Sequence, residues 1–302
     1  VESIRWDGKA VSKPGIYSGI PLEIYHSQKI LDGPSVSSSG LRRVLEVNGG
    51  SPAHFYDEWS GNPNCTEPED KPQFVLGRAA HFLFLEGSKR GAAFSASFAI
   101  RPDDWDSWRT QASRDWRDEQ VRKGRAVLTD EQIETITGMC QRIAADPLAI
   151  SALRGDIERS LFYKDKKTGL WIKARPDVIP NDGGDYSDLK TTTRASFPLL
   201  MHAVGQHAYH QQAAVIREAS ATVLGLGMRS FSLVFVEAKR PYCVRIVVLD
   251  PRDIDLGHRQ NRRALDLIAT CMKEDRWPGP GEGHPITIPL TEKYRESAEP
   301  QQ

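Results

Sequence analysis

Asp177 and Asp188, with ten residues between them, and Lys190, two positions beyond the second, are the side chains in this sequence best placed to do chemistry. Two carboxylates brought side by side repel. A hard divalent cation relieves that repulsion and keeps coordination positions open for water and phosphate. On a strand, residues two apart share a face, so Lys190 joins Asp188 there. A lysine in that place can orient or help deprotonate an attacking water and can neutralise charge on a pentavalent phosphorane. Asp-x-Lys alone carries little weight, because two charged residues on a strand usually form a solvated face. Pro176-Asp177, a turn, and then Asp188-Leu189-Lys190 on the next strand is more specific; the competing reading is a salt-bridge ladder across a hairpin.

The elements that must hold these residues are legible from local pattern. The stretch 157–163 predicts a strand, Lys166-Lys167-Thr168-Gly169 a turn, and 170–178 its hairpin partner. Asn181-Asp182-Gly183-Gly184 predicts a second turn, leading into a short strand over 185–190. A long helix is expected over 196–219 with Pro198 in its first turn, then a strand pair over 229–237 and 242–249. Asp250-Pro251 opens a last helix running to about Lys273. Upstream, Ser35 to Ser39 offer N-caps for a helix through Leu41, Val44 and Leu45, and Ser51-Pro52 begins another. The stretch 65–71 reads as loop and 74–85 as a buried helix, in which Gly77, Ala79 and Ala80 allow a neighbour to approach. Thr129-Asp130-Glu131 caps an amphipathic helix through Ile133, Ile136, Met139 and Ile143, which stops at Asp146-Pro147, where a shorter helix follows. With no internal repeat, the order predicts one α/β (α+β) domain over 36–278, preceded by an arm or irregular edge (1–35) and followed by a polar tail (279–302).

Composition narrows the class. The chain has 302 residues, 39% hydrophobic and 26% charged, which excludes collagen-like, coiled-coil and wholly disordered classes. No run approaches the roughly 18 apolar residues of a membrane span. The first residues lack a basic-then-apolar signal pattern, so a cytoplasmic protein without membrane contact is expected. Forty basic residues balance forty acidic ones, so any nucleic-acid contact must come from a local groove. Cys65, Cys140, Cys243 and Cys271 form no paired motif and are expected as reduced thiols. His202, His207 and His210 share no single helical face, which disfavours zinc. Lys164, Lys166 and Lys167 cluster at a turn that is either solvated or able to reach DNA phosphates. The stretch 101–125, with seven basic and six acidic residues and Trp105, Trp108 and Trp116, is either a solvated segment with aromatic anchors or a flap near a substrate groove.

Pro176-Asp177 with Asp188-Leu189-Lys190 resembles the PD-(D/E)XK nuclease superfamily, and four further matches resemble its RecE-type (exonuclease VIII) branch, with lambda exonuclease and the RecB nuclease domain more distant. These are the helical histidine of Gly77-Arg78-Ala79-Ala80-His81, the acidic Glu158, the basic lead-in Lys173-Ala174-Arg175, and the Tyr-x-x-Gln of Tyr209 and Gln212. The resemblance implies a central mixed sheet flanked by helices and a Mg²⁺-dependent DNA exonuclease, with Mn²⁺ as a substitute. It implies 5′→3′ action on double-stranded ends, leaving 3′ single strands for recombination in a phage or prophage setting. His81, Asp177, Asp188 and the Leu189 carbonyl would then hold the metal, and Lys190 would position the attacking water. Glu158 would sit by a second metal or orient a water, and Tyr209 and Gln212 would hydrogen-bond the site or the substrate backbone. A cyclic homo-oligomer (trimer or tetramer) and a single-strand annealing protein are the implied partners. The rivals are another nuclease of the superfamily, such as a structure-specific or RecB-like endonuclease, and a catalytically inactive nucleic-acid-binding member.

Overall fold

A computed structural model describes residues 2–66, 72–85, 92–105, 107–181, 184–282 and 285–298. Most of the loop expected over 65–71 and the centre of the turn expected over 181–184 fall outside these residues. Along the chain come β1 (Ile4–Arg5), β2 (Gly15–Ser18), α1 (Leu22–His26), β3 (Ser35–Ser37), α2 (Ser38–Arg43), α3 (Pro52–Glu58), α4 (Pro72–Leu85), α5 (Ala92–Ser97), β4 (Phe98–Ile100), α6 (Gln111–Arg122), β5 (Ala126–Leu128), α7 (Asp130–Ala144) and α8 (Pro147–Ala152). The second half holds β6 (Asp156–Ile157), β7 (Ser160–Lys164), β8 (Trp171–Ala174), β9 (Val178–Ile179), β10 (Asp185–Thr192), α9 (Phe197–Gln206), α10 (Tyr209–Ala219), β11 (Ser230–Glu237), β12 (Val244–Val248), α11 (Pro251–Glu274) and α12 (Glu292–Ala298).

Several helices begin where the sequence signals them. Ser51 accepts from the His54 N–H ahead of Pro52, and Asp146 and Asp250 cap the Pro-led α8 and α11 in the same way. Thr129 and Gln132 close a reciprocal capping box on α7.

The strands form two five-stranded sheets, β1-β2-β7-β8-β3 and β12-β11-β10-β9-β6, with β4 and β5 paired separately. In the second sheet β10 runs parallel to β11, which turns antiparallel into β12. Alternation along these strands supplies both faces with apolar side chains. Tyr186, Phe231, Leu233 and Phe235 pack towards α10 and α11, while Leu189, Val234 and Val236 pack with Ala79, Ala80, Ile136 and Met139 of α4 and α7. The mixed sheet is therefore flanked by helices on both faces.

Four expectations change. The predicted hairpin exists, but it is bent: β6 and β9 join one sheet, β7 and β8 the other. Its register is the same on either side of the bend, with Ile157 facing Val178 and Leu161 facing Ala174. Pro176, which has no N–H to donate, and Glu158, at φ 55°, interrupt the ladder between them. The long helix expected over 196–219 is two helices, broken at Ala208, which adopts a left-handed φ of 50°. Ser35 to Ser37, expected among the helix caps, form a strand parallel to β8, and Ser37 is also the N-cap of α2, which ends at Arg43, short of the expected Val44 and Leu45. The stretch expected as an arm or irregular edge supplies α1 and two regular strands, with β1 at the edge of the first sheet: β2 pairs with β7, and Val11, Tyr17, Ile20, Tyr25, Ile30 and Leu31 bury against Phe162 and Trp171. Its apolar residues are spaced by loops rather than by a helical or strand period, so their common burial left no local signal.

The 101–125 stretch forms α6 between β4 and β5. Trp116 packs on Trp105 (5.7 Å) and Trp108 (6.4 Å), and Arg101 and Arg117 each lie 5.7 Å from the Trp108 ring. It is a charged helix with aromatic anchors. Among the described residues no helix is long and apolar enough to cross a membrane.

Candidate metal centre

The bend in the hairpin builds the site. Because the register is continuous, Glu158 faces Asp177 across the ribbon, and the Glu158 N–H donates to the Asp177 carbonyl (3.2 Å). Asp177 stands where β9 has not yet begun to pair with β10. Its carboxylate takes the ladder's place, with Oδ2 accepting the Leu189 N–H at 2.7 Å. That bond fixes Asp177 against the strand carrying Asp188 and Lys190.

From the other side α4 lies directly over β10; a Cβ on Gly77 would meet Thr191 Oγ1 at 3.4 Å. One turn further along α4, His81 points its Nε2 at Asp177 Oδ1 (2.9 Å) and its Nδ1 at Glu158 Oε1 (3.3 Å). Each of His81, Glu158 and Asp177 offers one ligand atom within 4.8 Å of the others, the one such group among the described residues. The His81 and Glu158 side chains are 25% and 24% exposed, so this face of the site opens to solvent.

Asp188 lies deeper and is fully buried. Oδ1 accepts from Gln212 Nε2 (2.7 Å), and Oδ2 forms an ion pair with Lys190. The Lys190 ammonium in turn lies 5.1 Å from the centre of the Tyr209 ring. The break at Ala208 starts α10 afresh at Tyr209, and the three-residue spacing puts Tyr209 and Gln212 on the face towards β10. The intervening residues turn to α11: His210 pairs with Gln260 (2.7 Å), and Gln211 and Asn261 exchange two hydrogen bonds. His210 is thereby accounted for, and it joins no ligand group with His202 or His207.

The charges are interdependent. Burial raises the Asp188 carboxyl above the usual range and the Asp177 charge adds to this, outweighing Lys190. Burial acts the same way on Asp177, but the His81 imidazolium, Lys190 and the Leu189 N–H hold it low. For His81, burial disfavours the cation, and Asp177 and Glu158 overturn that to place it at about 9. Burial likewise disfavours the Lys190 cation, but Asp188 and Asp177 raise its pKa above the ordinary lysine range.

The donor set suits the implied metal. One imidazole nitrogen and two carboxylate oxygens converge within reach of one ion, a set able to hold a divalent cation, with the buried Asp188–Lys190 pair behind it. His81, Glu158, Asp177, Asp188, Lys190, Tyr209 and Gln212 thus lie close together. Glu158, however, stands with His81 and Asp177, whereas Asp188 stands with Lys190 and Gln212.

Arg175, named in the sequence only as part of the basic lead-in, stands 3.9 Å from Glu158, between Ser160 and the Tyr25 ring, neither of which sequence reasoning singled out. The spacing of Lys173 and Arg175 on one strand face was the available signal. Lys173 is buried and the Arg175 side chain nearly so. At the far end of the hairpin, Lys164 packs over Trp171 (5.7 Å) and Lys167 pairs with Asp266 (2.6 Å).

Residues 37–285 match a family described as a PDDEXK-like domain of unknown function (DUF3799). No curated protein matches the sequence. A crystal structure of a candidate exonuclease from Eubacterium rectale aligns with a TM-score of 0.60 at 13% identity, over 93% of this chain and 99% of that one. At that identity the likeness speaks for the fold. The crystal structure of SSO0001 aligns over 65% of this chain and 85% of its own, with a TM-score of 0.30 and 14% identity.

Proposed function

The chain belongs to the PDDEXK-like family, and from that premise we propose that it is a divalent-metal-dependent deoxyribonuclease that hydrolyses phosphodiester bonds. The finer reading is an exonuclease acting 5′→3′ on double-stranded ends and leaving 3′ single strands for recombination. The observation that carries the proposal is the convergence of His81, Glu158 and Asp177 in front of the buried Asp188–Lys190 pair.

His81, Glu158 and Asp177 would hold Mg²⁺ or Mn²⁺, with Asp188 and the Leu189 carbonyl completing the set. A bound cation supplies Lewis-acid stabilisation of charge on the phosphoryl oxygens. Lys190, anchored by Asp188 and the Tyr209 ring, presents a fixed positive charge towards the attacked phosphate and aligns the incoming water. Gln212 orients Asp188 from behind, so that the carboxylate keeps its second oxygen on Lys190. In a buried, pre-ordered site these charges need little reorganisation as negative charge develops.

Degradation over long tracts would call for a closed cyclic homo-oligomer, a trimer or tetramer, around the DNA, and a single-strand annealing protein to take up the product. The decisive experiment is digestion of a duplex labelled separately at each 5′ and 3′ end, with and without Mg²⁺. Early loss of the 5′ label only with metal is expected; internal cuts would favour the endonuclease rival, and no cleavage with either Mg²⁺ or Mn²⁺ the inactive one. Sedimentation paired with excess competitor DNA tests the ring.

A further inference from the structure

We propose that Arg175 and Tyr25 are positioning residues for Glu158, so that the N-terminal segment completes the metal centre; this rests on the reading of His81, Glu158 and Asp177 as metal ligands. Arg175 faces Ser160 at the bend of the hairpin. Its Nε and Nη2 donate to Ser160 Oγ (2.9 and 2.7 Å), and Nη2 also donates to the Ile20 carbonyl (3.0 Å). The guanidinium carbon lies 4.2 Å from the centre of the Tyr25 ring. A planar guanidinium held by two acceptors in its plane and a ring against its face has one orientation left. In that orientation Nε stands 3.9 Å from Glu158 Oε2, while Glu158 Oε1 faces His81. One carboxylate oxygen is therefore steadied by the arginine and the other is aimed into the ligand group.

Tyr25 is itself held in place. Lys173, two residues before Arg175 and on the same strand face, donates to the carbonyls of Tyr25 (2.9 Å), His26 (3.4 Å) and Ser27 (3.1 Å) at the end of α1. Lys173 is 4% exposed, so its ammonium serves α1 and not a substrate. The Lys-x-Arg spacing thus has a structural reason: Lys173 fastens α1, and α1 supplies the ring that orients Arg175. Groups that orient a metal ligand from behind commonly change metal affinity about 10- to 100-fold when removed.

The test is Mn²⁺ titration calorimetry on the full metal-free chain, with melting curves as the control for folding. Arg175→Gln and Tyr25→Leu should each weaken Mn²⁺ binding by about tenfold or more. Both should lower kcat while leaving KM for a duplex within about twofold. Tyr25→Phe keeps the ring and should match the wild type. In a Glu158→Gln background, Arg175→Gln should add nothing, because it acts through Glu158. Where Tyr25→Leu loses the fold, Arg175→Lys decides, since it keeps the charge and most of the volume but not the planar fork; reduced Mn²⁺ affinity is expected. Folded Arg175 variants with wild-type Mn²⁺ affinity, or losses that add to that of Glu158→Gln, would overturn the proposal. A wild-type chain that binds no Mn²⁺ would overturn the metal-centre reading itself.

Discussion

Glu158 combines a ligand position with a backbone conformation that side-chain-bearing residues disfavour, and the two can be separated. At φ 55° it occupies the left-handed region, which costs an L-residue about 1–2 kcal/mol. Glycine escapes that cost but loses about 0.5–1 kcal/mol through its freer unfolded state. Glu158→Gly and Glu158→Ala both delete the contacts to His81 (3.3 Å) and Arg175 (3.9 Å), so those losses cancel between them. Both keep the backbone bond to Asp177. The glycine variant should therefore be more stable than the alanine variant by about 0.5–1 kcal/mol, or about 1–3 °C in melting temperature for a chain of this size. The assay is thermal unfolding in a chelator, repeated with Mn²⁺. A ligand at 100 times its dissociation constant stabilises by about 2.7 kcal/mol, so the wild type should gain several degrees with the metal and both variants much less. If glycine proves no better than alanine, the conformation stores no strain. If either variant keeps the full response to Mn²⁺, Glu158 is not a ligand.

Lys190→Ala should keep the fold and most DNA binding, yet lower turnover by about 10²–10³-fold or more, as removal of a transition-state charge contact does; near-normal single-turnover rates would make Lys190 a strand-surface charge. Asp177→Ala and Asp188→Ala should each abolish cleavage, and calorimetric Mn²⁺ binding unchanged in both would refute the assignment. Away from the site, Arg262 grips Asp165 with two bonds (2.5 and 2.9 Å) and Thr168 adds two more. Burial opposes ionisation of Asp165, but these partners hold its carboxyl low, at about 2. A depressed acid stabilises the fold above its unfolded value near 3.8 and loses that contribution as pH falls towards about 2. Asp165→Asn should cost about 1–2 kcal/mol at pH 7, discounted because Arg262 is 29% exposed, and urea titrations should show the gap closing between about pH 4 and 2.

The sequence by itself determined the parts whose causes are local. Caps at Ser51, Thr129, Asp146 and Asp250 act within a few residues of where they stand, and the helices they start are where that chemistry puts them. The pairing of 157–163 with 170–178 was equally local, through a short turn. The chemistry-bearing residues were legible too, because paired aspartates and a lysine at strand spacing are distinctive whatever surrounds them.

Tertiary structure alone decided how those parts meet. Nothing near Glu158 foretells a left-handed residue, or that the ribbon bends there to serve two sheets; that follows from β9 pairing with β10 while β2 and β3 claim β7 and β8. The break at Ala208 has no glycine or proline at that residue to mark it. It is compatible with α10 being locked to α11 by Gln211 and Asn261, and with Gly257, where a Cβ would stand 2.4 Å from the His210 carbonyl. The N-terminal segment read as an arm or irregular edge because its apolar residues follow no period. Yet Tyr25 and Lys173 meet across 148 positions, driven by burial and by the need of an enclosed ammonium for carbonyl partners. Such needs are met by whatever the fold brings near, and no window of sequence contains them.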